Sequence, residues 1–155
     1  MQKMMGLVRR CIEDYNMIEA GDRVAVGVSG GKDSLTLLVV LAALREYYPI
    51  KFDLAALSVD MGLGGMDFSP VAELCARLNV PYLVKKTEIG PIIFDYRKEK
   101  NPCSMCAKMR RGALNDLMRE QGCNKIALGH HYDDAVETFL MSLLYEGRIS
   151  CFEPV

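Results

Sequence analysis

VAVGVSGGKDSLTLL, Val24–Leu38, is the stretch on which the fold turns. Val24, Val26 and Val28 are spaced as on a β-strand rich in branched residues. Ser29-Gly30-Gly31-Lys32-Asp33-Ser34 then breaks the run. Leu35 to Tyr47 follows as a segment apolar nearly all round, which predicts a helix buried against a sheet. A strand that turns through two glycines into a helix gathers backbone N–H groups and the positive end of the helix dipole at one point. Ser29, Lys32 and Ser34 add side-chain donors. An ordinary strand–turn–helix connection, with Asp33 or Ser34 as N-cap, has little use for donors so dense, so the stretch reads as a phosphate site. It is not a Walker A loop. Val26 fills the slot of that motif's first glycine, and Asp33 stands where Ser or Thr is required after Lys32.

Working outward, Phe52–Val59, Tyr82–Lys86 and Lys125–Leu128 read as three further strands. Helices are predicted over 3–20, 70–78, 103–121 and 132–145, and residues 88–102, punctuated by Pro91 and Pro102, read as loop. Alternating strands and helices predict an α/β fold, a Rossmann-like parallel sheet with helices on both faces. The expected organisation is an N-terminal helix over 1–20 followed by one nucleotide-binding domain over 21–155. Right-handed crossovers bring the loops after strands one, two and four to one sheet edge, where ligands bind. Those loops are SGGKDS, DMGLGG and GHHYDD.

Composition narrows the class. The chain has 155 residues, enough for one domain with a core, and half of them are hydrophobic. Its longest apolar run, Leu35–Leu44, is too short for a membrane span, and no signal-peptide pattern opens the chain. A cytoplasmic protein with no membrane partner is expected. A net charge of −1 argues against a chain that is basic all over. Yet Arg97, Lys98, Lys100, Lys108, Arg110 and Arg111 crowd into one short segment with a single acid, Glu99. Such a run suits nucleic-acid phosphates or simply a solvated helix face. Arg110, Arg111 and Tyr96 are the candidate RNA contacts, with Lys85-Lys86 a weaker one.

Two more clusters carry chemistry. In LGHHYDDAVET, Leu128–Thr138, helical spacing puts Val136, Phe139, Leu140, Leu143 and Leu144 on one face and His130, Asp134 and Glu137 on the other. The plain reading is a capping box, Asp134 to Glu137, with solvated histidines. In NPCSMCAKMRRG, Asn101–Gly112, Cys103 and Cys106 stand one helical turn apart. A redox pair, half a zinc site, part of an iron–sulfur cluster and a purely structural pair all remain open.

SGGKDS resembles the PP-loop of the N-type ATP pyrophosphatase superfamily, whose sheet is of the adenine nucleotide alpha hydrolase type. GHHYDDAVET and PCSMCAKMRRG resemble the signatures of the tRNA 2-thiocytidine synthetase group within it. The resemblance implies that Ser29, Gly30, Gly31, Lys32, Asp33 and Ser34 hold the pyrophosphate of ATP, with Asp33 also near Mg²⁺. An acid beside polyphosphate is sensible only with a cation between them. It implies that Asp60, Gly129 and His130 border the nucleotide, with Asp134 a metal or ribose contact. It further implies that Cys103 and Cys106 supply two of three thiolates to a 4Fe-4S cluster. The third lies well downstream in that family. Cys151 follows the last helix too soon to match it, so a chain missing its C-terminal part, including a fifth strand, is expected.

The function implied is ATP-dependent tRNA thiolation. A cytidine 2-carbonyl is adenylated with release of pyrophosphate, and sulfur carried on the cluster, or as a persulfide on Cys103 or Cys106, displaces AMP. Asp33, Cys103, Cys106 and Asp134 are the catalytic candidates. The partners are tRNA and a sulfur donor such as a cysteine desulfurase, with a homodimer left open. The alternatives are a tRNA-Ile lysidine synthetase-like ligase, whose chemistry leaves the cysteine pair idle, and a non-catalytic ATP-binding module.

Overall fold

A computed structural model describes residues 2–97 and 102–151. Lys98, Glu99 and Lys100 of the basic run, and Asn101 before the cysteine pair, lie outside the described residues.

Four strands, β1 Arg23–Gly27, β2 Asp53–Asp60, β3 Tyr82–Lys86 and β4 Lys125–Leu128, form one sheet in the order β3-β2-β1-β4. Every pair is parallel, with Val26 opposite Ala56 on one side and Ala127 on the other. Val24, Ala25 and Val26 are all buried, because helices cover both faces of this central strand. α1 Gln2–Asp14, α2 Lys32–Tyr47 and α3 Ser69–Arg77 lie on one face, where Leu38, Leu41 and Leu44 pack with Val24, Val26, Leu54 and Ala56. α5 Pro102–Glu120 lies on the other, where Leu117 packs with Ala25, Ala55 and Leu57. The alternation of β1 and β2 residues between these two clusters is the two-residue period of the strand.

The chain winds from β1 outward to β3, then returns to place β4 on the far side of β1. A polar clamp at the start of the strands fixes this return. Buried Asp22, just before β1, accepts from the Glu19 amide at 2.7 Å, Asn124 Nδ2 at 2.6 Å and Lys125 Nζ at 2.9 Å. Asn124 Oδ1 in turn accepts from the Arg23 amide at 2.9 Å. The Glu19 amide, then Lys125, hold the Asp22 carboxyl down at about 2, below its ordinary 3.8.

Three sequence expectations are corrected. The first helix ends at Asp14 rather than 20, because Asn16 turns left-handed at φ +48° and the Met17 amide donates back to the Ile12 carbonyl. Residues 89–97 are helical, not loop: α4 Ile89–Pro91 runs into a wide π-helical turn over Ile92–Arg97. Pro91 sits in the opening turn, where its missing N–H is no loss, and Ile89 and Ile93 are buried. The last helix, α6 Tyr132–Met141, gives way to a π-helical turn over Ser142–Glu146 that ends at left-handed Gly147. Its apolar face is exposed: Val136, Phe139, Leu140, Leu143 and Leu144 are all more than a third accessible. Among the described residues no helix is long and apolar enough to cross a membrane.

Candidate active site

The sheet reverses its winding between β1 and β4, and the loops after these two strands meet there. The loop after β1 is organised by two hydroxyls. Ser34 Oγ accepts from the Ser29 amide at 3.2 Å, lies 3.2 Å from Ser29 Oγ, and donates to the Gly31 carbonyl at 3.0 Å. Gly30 takes φ +83°, a conformation that favours glycine. Gly31, not Asp33 or Ser34, is the N-cap of α2, and no side chain caps it. The helix therefore presents its first turn toward the loop without a protein cap, the arrangement that receives an anion.

β4 delivers Gly129 directly onto this turn. A Cβ there would stand within 3 Å of the Ser34 amide nitrogen and the Asp33 carbonyl carbon, so only glycine fits the approach. His131 then serves as N-cap of α6, and its amide donates to Asp134 Oδ2 at 2.7 Å. The cap thus pairs His131 with Asp134, one register earlier than the Asp134–Glu137 box expected from the sequence. It turns Asp134 back toward the loop that Gly129 begins.

A cavity of about 440 Å³ opens at this junction, within the range of small-molecule sites. Ser29, Gly31, Asp33 and Ser34 line it from one loop, and Gly129, His130 and Asp134 from the other. Val59, Met61, Met66 and Phe68 give it an apolar wall. From α5 come Ala107, Arg110, Arg111 and Leu114, which share one face of that helix. Arg110 and Arg111, read from sequence as RNA contacts, therefore border the same space as the phosphate loop. Two cations, the α2 N-terminus and loop donors border one cavity, a set of groups that attracts phosphate. Asp33 and Asp134 are the acids among these lining residues, and a cation between a carboxylate and a phosphate resolves the conflict of charge.

Other candidates fall outside the lining. Gly30 and Lys32 are exposed on the phosphate loop. Asp60 ends β2 with its Oδ1 accepting from the Gly62 amide at 3.0 Å, while its neighbours Val59 and Met61 line the cavity. Tyr96 is exposed on the π-helical turn. Cys103 is exposed and Cys106 half-buried at the start of α5, one residue before Ala107 of the cavity wall. Among the described residues no three His, Cys, Asp or Glu side chains gather as a metal-binding group. The sequence reading missed Met61, Met66, Phe68 and Ala107. For Ala107 the signal was present, since 107, 110, 111 and 114 fall at helical spacing.

A family model described as a PP-loop domain matches residues 5–151. The tRNA-cytidine(32) 2-sulfurtransferase of Geobacter metallireducens is 42% identical over 154 residues, covering 99% of this chain and 60% of that protein. The enzyme of the same name from Anaeromyxobacter dehalogenans is 42% identical, with 99% of this chain and 53% of that protein covered. The chain thus spans little more than half the length of these curated relatives. Among solved structures, the U34-tRNA thiolase NcsA from Methanococcus maripaludis, determined with its 4Fe-4S cluster, superposes with a TM-score of 0.73 at 28% identity, over 86% of this chain and 46% of that one. An NH3-dependent NAD synthetase from Campylobacter jejuni shares the fold at a TM-score of 0.54 and 17% identity, over 96% of this chain and 74% of that one.

Proposed function

The chain belongs to the PP-loop domain family, and on that premise we propose that it carries the ATP-cleaving site of a tRNA 2-thiolation enzyme. The observation that carries this reading is the convergence of SGGKDS, GHHYDD and the Arg110-Arg111 pair on one cavity at the point where the sheet reverses. The relatives named as tRNA-cytidine(32) 2-sulfurtransferases support cytidine as the substrate base.

In this mechanism the phosphate loop and the α2 N-terminus hold the β and γ phosphates of ATP, and Asp33 is the residue that would hold Mg²⁺ beside them. The metal supplies charge neutralisation as the pyrophosphate departs. Arg110 and Arg111 border the same cavity, suited to the α phosphate or to the RNA backbone. The cytidine 2-carbonyl oxygen attacks the α phosphorus, a new P–O bond forms, and the bond to pyrophosphate breaks. Sulfide from the donor then attacks C2, and the C2–O bond breaks with AMP leaving, so the oxygen departs on AMP. His130 and Asp134 border this space from the β4 loop.

Cys103 and Cys106 are the residues that would hold a 4Fe-4S cluster. Two thiols one turn apart and adjacent to the cavity wall fit two of its ligands, and among the described residues no third one gathers with them. Such a cluster with one open iron can bind the sulfur to be transferred. The sulfur donor is of the cysteine desulfurase class, whose persulfide is reduced by a thiol reductant, with disulfide formed, to the sulfide that attacks C2; the compartment is the cytoplasm. Incubating the protein anaerobically with tRNA, a sulfide source and ATP labelled at the α or γ phosphate tests the reading. AMP and labelled pyrophosphate are expected, with 2-thiocytidine in the tRNA; ADP and inorganic phosphate would sink it.

A further inference from the structure

Ser58 is a buried polar residue inside DLAALSVD, an otherwise apolar strand core, and it does not face the cavity. Its strand neighbours Leu57 and Val59 line that cavity, so the two-residue period turns Ser58 to the opposite face. There its hydroxyl donates to the Val28 carbonyl at 2.6 Å. Tyr82 of β3, half-buried, donates its own hydroxyl to Ser58 Oγ at 2.9 Å. Val28 is the last residue before the phosphate loop. The β1–β2 ladder ends at Gly27 opposite Leu57, and the Val28 amide makes one more bond, to the Leu57 carbonyl at 2.8 Å.

The Val28 carbonyl and the Ser29 amide belong to one planar peptide unit. Ser58 holds its oxygen, and Ser34 Oγ holds its nitrogen at 3.2 Å. The orientation of this plane therefore decides where the Ser29 and Ser34 hydroxyls meet. We propose that Ser58 and Tyr82 are positioning residues of the phosphate loop, their hydroxyls forming a relay from β3 through β2 that sets the Val28–Ser29 peptide plane. The relay rests on the reading that this loop holds the phosphates of ATP, and neither side chain lines the cavity.

The test uses the full chain and the variants Ser58→Ala, Ser58→Thr, Tyr82→Phe and Ser58→Ala/Tyr82→Phe. Two quantities are read: ATP affinity with Mg²⁺ by calorimetry, and hydrogen exchange at the Ser29 amide without ligand. Ser58→Ala is expected to weaken ATP binding about fivefold to tenfold, the equivalent of one net hydrogen bond, and to speed Ser29 exchange. Tyr82→Phe has a smaller effect in the same direction. Ser58→Thr, which keeps the hydroxyl, restores both. The double variant is no worse than Ser58→Ala, because links in series are lost together. Unchanged Ser29 exchange in Ser58→Ala, or additive losses in the double variant, overturns the relay and leaves a buried polar pair that only satisfies itself. A wild-type chain that binds no ATP sinks the proposed function instead, and Ser29 exchange still decides the relay.

Discussion

Gly129 rests on the first turn of α2 so closely that a Cβ would lie 2.8 Å from the Ser34 amide nitrogen. The contact joins the two loops that make the cavity, and backbone rather than flexible side chain stands in the way. Gly129→Ala must push β4 and α2 apart. The expected result is a stability loss of about 1–3 kcal/mol in denaturant titration and at least a tenfold loss of ATP affinity. Wild-type values for both would show that the two loops do not meet this way.

The clamp around Asp22 makes a prediction in acid. Its carboxyl is held at about 2 in the fold against an ordinary 3.8, so the folded state favours the charged form. The resulting stability is fully present above pH 3.8 and is lost as pH falls toward 2. Asp22→Asn should lower stability at neutral pH and flatten its decline across that acid window. Urea titrations at several pH values check the slope; an equally steep acid limb in the variant would assign the effect to other carboxylates.

Arg110 and Arg111 are exposed yet line the same cavity as the phosphate loop. Arg110→Gln and Arg111→Gln should each weaken ATP binding, by about tenfold for a lost charge-assisted hydrogen bond. An arginine that instead contacts tRNA leaves ATP affinity intact and lowers the salt slope of tRNA binding by about one. Measuring both constants for both variants assigns each side chain to nucleotide or to RNA.

Cys103 and Cys106 stand beside the cavity but outside its lining. Cys103→Ala and Cys106→Ala should abolish thiolation and reduce bound iron while pyrophosphate release from ATP persists. Retained thiolation in either variant would remove the pair from sulfur transfer and favour a ligase with another nucleophile.

Residue pattern, together with the family resemblance, pointed to many of the residues that line this candidate site, and the misses have physical causes. β3 and β4 keep the bounds expected from the sequence, Tyr82–Lys86 and Lys125–Leu128. SGGKDS was legible because donors, glycines and helix start are consecutive. Pro91 misled because proline reads as a breaker, although an opening turn tolerates it. Asn16 ended α1 without the glycine that usually marks such a stop. The His131–Asp134 cap uses a backbone donor, which no side-chain pattern announces. The facing of Arg110 and Arg111 depends on how α5 is rotated against the sheet, and the Tyr82–Ser58 bond joins residues 24 positions apart. Both arise only once the layers are packed.

The placement of β4 next to β1 also bears on the order in which the protein becomes competent. The Arg23 amide reaches Asn124 across 101 positions of chain. During synthesis the phosphate loop leaves the ribosome long before the segment carrying Gly129, His130 and Asp134. Until that segment docks, SGGKDS has half of its cavity wall and no partner across the sheet reversal. Closing so long a loop is also among the slower steps of folding. If the cavity holds ATP as proposed, nucleotide capture waits for β4 to join the sheet beside β1.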